Sequence, residues 1–376
     1  MELVPKSRLT FSEVANELNA ILFQPDIQAF RILLAAVAAH TLKPHGYPPV
    51  WLMIIGPAGS GKTTLLDTLN TLPVFRLNDL TPNTFLSGFK GNGKPSSLLH
   101  KLGNKPIITM KDFTTILSMR FEHKSEIMAS LREIYDGFYR KATGMGDSLS
   151  WSGRLTLLTC CTPAIDRDRM TFRIMGDRFM EVRWSGPPSL ALAHCVIDRH
   201  TEMDLSSVSN KIKAYVEACP LDCAALTGKQ VNKLASLSHL VAVLRTPITR
   251  DEKGWKINDV GVPESPTRIA QALTSVVVTS ATLDACSHAR DEDMDLACRV
   301  ARDSIPPMRL HILSLISKDG IPKDDDQLRA IPRWVRERTL DELFALGLIE
   351  ETMGQAGDHW LHYSHDNAVL ASDTLW

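Results

Sequence analysis

Eight consecutive residues, GPAGSGKT at 56–63, have the types and spacing of a loop that wraps phosphate. Gly56, Gly59 and Gly61, with Pro57, Ala58 and Ser60 between them, let backbone N–H groups turn toward an anion. Lys62 supplies a point charge for the β and γ phosphates of a nucleotide, and Thr63 offers a hydroxyl to Mg²⁺. These residues and Thr64 are the candidate nucleotide-binding set. The context agrees, because the apolar run VWLMIIG precedes the loop and the helical pattern TLLDTLN follows it.

A second stretch, PIITMKDFTT at 106–115, has the pattern of the strand that completes such a site. In P-loop ATPases that strand presents an Asp to Mg²⁺ and often a Glu to the attacking water. Counting four positions, Ile107 to Met110, puts Lys111 at the first acidic place and Asp112 at the second. Sliding by one puts Asp112 at the metal place and Phe113 at the other. Asp112 is therefore the candidate metal ligand and catalytic carboxylate, unless it serves as the N-cap of a helix starting near Thr114. Glu122, Glu126 and Glu133 are candidates for a water-positioning acid from elsewhere, on a helix that otherwise reads as amphipathic scaffold.

The elements that must hold these residues alternate. VWLMIIG, PIITM, RLTLLTCCT and the end of MGDRFMEVRW read as buried strands, and SEIMASLREIYDGF reads as a helix. FYRKATGMGDSLSWSGRL reads as a β-hairpin around a glycine-rich tip. Two helices, FSEVANELNAIL and DIQAFRILLAAVAAHTL, precede the first strand. The expected class is α/β with a parallel sheet. Beyond WSGPP helical patterns dominate to about residue 303, interrupted by the loop TRDEKGWKINDVGVPESP. The last seventy residues read as helix, short helix, longer helix ended by Gly347, and two short strands about a glycine turn. That order is a winged helix-turn-helix. The expected divisions are 1–185 for the nucleotide-binding core with its N-terminal helices, 186–303 for a helical region and 304–376 for the winged helix.

With these motifs in order, the chain resembles the AAA+ ATPases. After RLTLLTCCT the resemblance implies that Thr162, with Thr159 second, contacts the γ-phosphate. MGDRF resembles the segment carrying an arginine finger that reaches a neighbouring subunit's nucleotide, which points to Arg178, with Arg167, Arg169 and Arg173 as competitors. A planar guanidinium suits that task. SPTRIAQALTSVVVTSATL with DEDMDLACRVARDS is similar to the lid of the replicative helicase and origin-recognition branch, which implies that Arg268 senses the γ-phosphate. SGFKG, the KDF-type strand, LREIYDGFY, WSGRLTLL, CTPAID and GDRF also resemble ATP-binding proteins of bacteriophages and mobile elements. The resemblance implies ATP and Mg²⁺ as cofactors and a homo-oligomer, ring or filament.

Two segments have the composition to meet DNA. Arg333, Trp334, Arg336 and Arg338 lie on or near the third helix of the winged unit, with Lys323 before it. Asp324, Asp325 and Asp326 oppose phosphate there, and winged helices also dock proteins. The hairpin carries Arg140, Lys141 and Arg154, which could neutralise phosphates in a ring's channel, although its tip ATGMGD has no lysine.

Charge balance, 42 basic against 43 acidic residues, excludes a globally basic DNA-coating protein. The seven cysteines lack repeated CxxC spacing; Cys219 and Cys223 have no second pair, and buried thiols in a reducing cytoplasm are expected. No apolar run nears the roughly 20 residues of a membrane span. The expected function is an oligomeric ATPase coupling ATP to assembly or movement on DNA, as an initiator, loader or motor of a phage or mobile element. The alternative is an ATP-switched regulator or antiphage-defence component whose winged helix docks a protein.

Overall fold

α1 (Phe11–Ile21) begins at a capping box: the Thr10 hydroxyl accepts from the Glu13 N–H, and the Glu13 carboxylate accepts from the Thr10 N–H. α2 (Ile27–Leu42) starts at Asp26, whose carboxylate accepts from Ala29 N–H, and is buried along almost its whole length. A helix apolar on every side must be covered on every side. The computed structural model describes residues 8–87, 90, 91, 94, 95, 97–142, 148–174, 176, 178–186, 189–198, 204–316, 319–353 and 359–364.

β1 (Leu52–Ile55) is buried at every position, and α3 (Lys62–Asp67) leaves the glycine loop directly. β2 (Val74–Leu77) departs from the sequence expectation, which has no strand there. It is a half-exposed edge strand that pairs only with its inner neighbour, so VFRL needs no continuous apolar run. β3 (Lys90–Gly91) and β4 (Lys94–Pro95) pair within the polar connection, followed by α4 (Leu98–Leu102). β5 (Ile107–Met110) is the expected second buried strand, followed by α5 (Thr114–Leu117) and α6 (Phe121–Tyr135). β6 (Phe138–Ala142) and β7 (Ser148–Ser152) form the expected antiparallel hairpin; its tip at 143–147 lies outside the described residues, as do 88 and 89 of SGFKG. β8 (Thr156–Cys161), α7 (Ile165–Ile174) and β9 (Met180–Arg183) complete the α/β part.

The five long-range strands form one parallel sheet in the order β2-β5-β8-β1-β9. Parallel neighbours need crossovers, and the helices between them cover both faces. Along β1 the faces alternate: Leu52 and Ile54 join a cluster with α2, while Met53 and Ile55 join one with Ile127, Leu131 and Phe113.

α8 (Ser189–Asp198), α9 (Ser206–Glu217) and α10 (Gly228–Leu244) follow. β10 (Ile248–Arg250) and β11 (Ile257–Val260) then form an antiparallel hairpin where the sequence reads as loop. The pair is short, bulged between Thr249 and Arg250, and mostly solvent-facing, so no period-2 signal survives. α11 (Thr267–Leu283) packs along α2, and α12 (Asp291–Asp303) lies beside β9. β9 is an edge strand, and α12 seals it: Glu181 N–H donates to Ser304 Oγ (3.0 Å) and Arg183 N–H to Asp303 Oδ2 (2.8 Å).

α13 (Pro307–Leu315), β12 (Ile321–Pro322), α14 (Asp326–Arg329), α15 (Arg333–Ala345), β13 (Ile349–Met353) and β14 (His359–Tyr363) form the end of the chain, with sheet order β12-β14-β13. Gly347, φ 66°, turns the chain out of α15 as its position predicts. The buried Arg309 guanidinium donates to Leu244 O, Thr246 O and Glu342, tying α13 to α10 and α15. One apolar cluster includes residues from Val14 to Leu361, on both sides of 185/186 and 303/304. Among the described residues, no helix is long and apolar enough to cross a membrane.

His40, in the last turn of α2, shares a hydrogen bond with the Thr156 hydroxyl of β8 (2.8 Å). Burial, with the Arg154 charge beside it, holds its pKa at about 4 against an ordinary 6.5. The unfolded chain therefore binds a proton that the folded chain refuses, and stability must fall as pH drops from 6.5 toward 4, by up to roughly 3 kcal/mol from this group. Urea midpoints between pH 7 and pH 4 will show a smaller acid loss for His40→Gln than for the parent chain.

Candidate functional site

The register of the sheet gathers the candidate nucleotide residues. Ile55 pairs with Cys161 and Met110 with Thr159, so β1, β8 and β5 end together at one carboxyl edge. Gly56, Thr162 and the Lys111–Asp112 step are the residues that leave these three strands. The chain leaves β1 for distant β2 and returns to both sides of β1, which makes this edge a topological switch point, where open α/β sheets bind ligands.

The loop itself is built for close backbone approach. Gly61 has φ 87°, a left-handed conformation that favours glycine. A side chain at Gly56 would meet Trp184 Cβ and O at 3.2 Å. Trp184, from the segment after β9, donates its indole N–H to Ser60 O (2.7 Å) and thereby braces the loop. Nothing in the sequence pattern marks Trp184 for this role; it is reached only because β9 lies beside β1.

Lys62 is buried, and its ammonium donates to Gly56 O (2.7 Å) and Pro57 O. Burial pushes its pKa down, with the Asp112 carboxylate opposing. The same ammonium can exchange loop carbonyls for phosphate oxygens. Thr63 is exposed at the start of α3, whereas Thr64 is half-buried. These residues fit a triphosphate and its metal: glycine-loop amides, one buried lysine, one exposed hydroxyl and one carboxylate. Mg²⁺ commonly takes only one or two protein carboxylates and completes its shell with phosphates and water.

The acidic strand resolves into three separate fates. Lys111 Nζ reaches back to Asp67 at the end of α3 (3.1 Å), and Arg76 of β2 meets the same carboxylate (3.3 Å). Asp112 is exposed, and its Oδ1 accepts from Thr114 N–H (2.8 Å) two residues on, as in an Asx turn; the N-cap of α5 is Phe113, with no side-chain cap bond, so Asp112 does not take the N-cap position that the sequence allowed it. Phe113 is fully buried against Phe172 and Phe179, with ring centroids 5.8 and 5.4 Å away, and its N–H donates to Cys160 O. Where a second acid would sit, the chain turns an aromatic ring inward. Glu122, Glu126 and Glu133 face solvent along α6.

Thr162 and Thr159 also separate. Thr159 is fully buried within β8, while Thr162 lies at the strand tip, where its N–H donates to Thr114 Oγ1 (3.2 Å). Thr114 therefore links the tips of β5 and β8, a role the sequence reading does not assign.

The arginines occupy the opposite edge. Arg178 precedes β9, whose start pairs with the start of β1, so at least the four-residue strand, about 13 Å, separates it from its own phosphate loop. Its guanidinium donates to Gly176 O (2.8 Å), faces Asp136 (3.6 Å) and lies over the Tyr135 ring. Arg268 lines the same cavity of about 610 Å³, with Tyr135, Glu264 and Arg245. Arg268 is paired with Glu264, which also faces Arg245 (3.5 Å). Burial and the neighbouring Arg268 push the Arg178 pKa down, with Asp136 opposing. The structure thus joins Arg268 to Arg178 rather than to the phosphate loop expected from sequence. Of the competitors, Arg173 is engaged with Glu181 (2.5 Å), Arg167 is exposed, and the Arg169 side chain lies outside the described residues.

Several expected DNA contacts have other work. Arg154 donates to Ala39 O, His40 O and Tyr47 O, satisfying the C-terminus of α2. Lys141 is tied to Pro82 O and Asn83, and Arg140 is exposed over Phe138. Arg336 turns inward to Leu328 O, Arg338 faces Glu342 (3.5 Å), Lys323 pairs with Glu351, and Arg333 pairs with Glu337 while remaining exposed. Asp325 caps α14 and Asp324 faces Arg329.

Phe113→Ala will empty a fully enclosed aromatic site and lower the unfolding free energy by about 3–5 kcal/mol, measured by denaturant titration. In comparisons with known proteins, no family model matches the chain and no curated protein is significantly similar to it.

Proposed function

We propose that the chain is an ATPase of the AAA+ type that assembles with copies of itself and couples ATP to assembly or movement on DNA. One observation carries the reading. The phosphate loop, Thr162 and Asp112 share one edge of the sheet, while Arg178 and Arg268 share a cavity at the other, beyond reach of the same loop. Cationic groups separated in this way suit a site completed between neighbours, with one copy's arginines facing the next copy's γ-phosphate. The order α13, α14, α15, β13, β14 supports a winged helix-turn-helix at the end of the chain.

In this reading the loop amides and Lys62 bind the β and γ phosphates, Thr63 and Asp112 hold Mg²⁺, and Thr162 donates to the γ-phosphate. The metal, when bound, neutralises charge developing on the transferred phosphoryl group. Asp112 is also the nearest acid for orienting water, so it serves the metal, the water or both. A second reading, a nucleotide-switched regulator with slow turnover that docks a protein through the winged helix, draws on the buried Phe113 and on the Asp112 carboxylate being engaged by Thr114 N–H.

Turnover separates them. Purified protein will hydrolyse ATP, faster with DNA, and Lys62→Ala will abolish this; equal rates for both proteins would leave only the switch. Arg178→Ala and Arg268→Ala will each lower kcat, Arg178→Ala by roughly 1,000-fold. Mixing Lys62→Ala with Arg178→Ala subunits will recover activity above either alone, because intact loops then meet intact arginines. Absence of recovery, or a strict monomer with a non-hydrolysable ATP analogue, would remove the arginines' action in trans.

A further inference from the structure

The β10–β11 turn leans against α15 and encloses a cleft of about 390 Å³. Lys253, Gly254 and Trp255 form one wall, and Trp334, Arg338 and Asp341 form the other. Both tryptophans are open to solvent, Trp255 at 72% and Trp334 at 63% exposure. An exposed large aromatic is unremarkable alone; two facing one cleft, with exposed lysines beside one of them, have the composition of a stacking platform. Lys253 and Lys256 bracket Trp255, and Arg333 and Arg336 lie either side of Trp334 in sequence.

The gap between the walls is fixed. Arg250, 5% exposed, donates to Trp255 O (3.0 Å) on the turn and to Arg338 O (2.8 Å) on the helix. Asp251 accepts from Trp255 N–H (2.7 Å) and Lys256 N–H (3.2 Å), which holds the turn. The acidic groups that line the cleft are matched, Glu337 by Arg333 and Asp341 by Arg250, as is Glu342 behind them by Arg250, Arg309 and Arg338; Glu252 on the turn is exposed and does not line the cleft. Lys253 and Lys256 are exposed with no ion pair among the described residues, so the rim carries positive charge available to phosphate.

We propose that this cleft binds single-stranded nucleic acid, with a base stacked on Trp255 and Trp334 and flanking phosphates on Lys253 and Lys256. A single strand fits better than a duplex for two reasons. Residues 334, 338 and 341 of α15 face the hairpin, so that face cannot lie in a major groove. Tryptophan faces need unstacked bases, which single strands offer and duplexes withhold.

Fluorescence anisotropy of a labelled 20-nucleotide oligo(dT), with the full chain and no ATP, tests the cleft separately from ATP turnover. Trp255→Ala and Trp334→Ala will each weaken binding by roughly 5- to 100-fold, and the corresponding Phe variants will retain most of the affinity. Lys253→Ala with Lys256→Ala will lower the slope of log K against log salt by about 1.4, or about 0.7 per lost phosphate contact. Thermal melts will confirm that these exposed substitutions leave the fold intact. Wild-type affinity in the Trp255→Ala/Trp334→Ala double variant, no binding of oligo(dT) by the parent chain, or equal tryptophan dependence for a 20-base-pair duplex would each overturn the proposal.

Discussion

The parallel pairing of β8 with both β1 and β5 is the constraint on which the candidate nucleotide site depends. It puts the ends of three strands, far apart in sequence, side by side at one edge. The residues that follow these strands, Gly56, Thr162 and the Lys111–Asp112 step, leave the same edge because backbone hydrogen bonds hold the strands at sheet spacing, about 4.8 Å apart. The same pairing places Thr156 beside His40 and Cys160 O over Phe113 N–H, so α2 and the turn after β5 are fixed by the strand that also carries Thr162.

A second set of contacts holds the helical region against the sheet. Asp26 caps α2 and also accepts from Ser185 and Arg299 (2.8 Å), while Asp303 and Ser304 saturate the free edge of β9. Arg31 of α2 meets Asp284 and the fully buried Asp293, linking α2 to α12 and to the segment after α11. Breaking one partner of such a buried group leaves a charge without water or counter-ion, which is why these links resist separation. The consequence for the site is positional: α11 is held where Arg268 meets Arg178, on the edge remote from the phosphate loop.

The carboxyl-terminal unit shows how a neighbouring hairpin changes the use of a surface. Its helices and strands follow the expected order, yet α15 shares one face with the β10–β11 turn through Arg250. Charged residues that look available in sequence are consumed locally: Arg336 by a carbonyl, Arg333 by Glu337, Lys323 by Glu351. Trp334 and, on the adjoining hairpin, Trp255, Lys253 and Lys256 stay open to solvent, a chemistry different from that of a helix reading base edges.

The sequence by itself determined the elements whose signal is local. The glycine loop, the buried runs of β1, β5 and β8, the capped helices and the Gly347 stop each follow from residues within one turn or strand, where backbone sterics and hydrophobic periodicity act. It missed β2, the β3–β4 pair, β10–β11 and β12, because strands of two to four residues held by a partner's backbone carry no apolar pattern of their own. Tertiary structure decided the rest. Lys111 is drawn back to Asp67 while Asp112 stays exposed at the strand tip, and Thr162 was separated from Thr159 by where β8 leaves the sheet. The partnership of Arg268 with Arg178, and of Trp255 with Trp334, joins residues about ninety or eighty positions apart. No spacing rule reaches across such separations; only the packing of α11 on α2 and of the hairpin on α15 brings those side chains together.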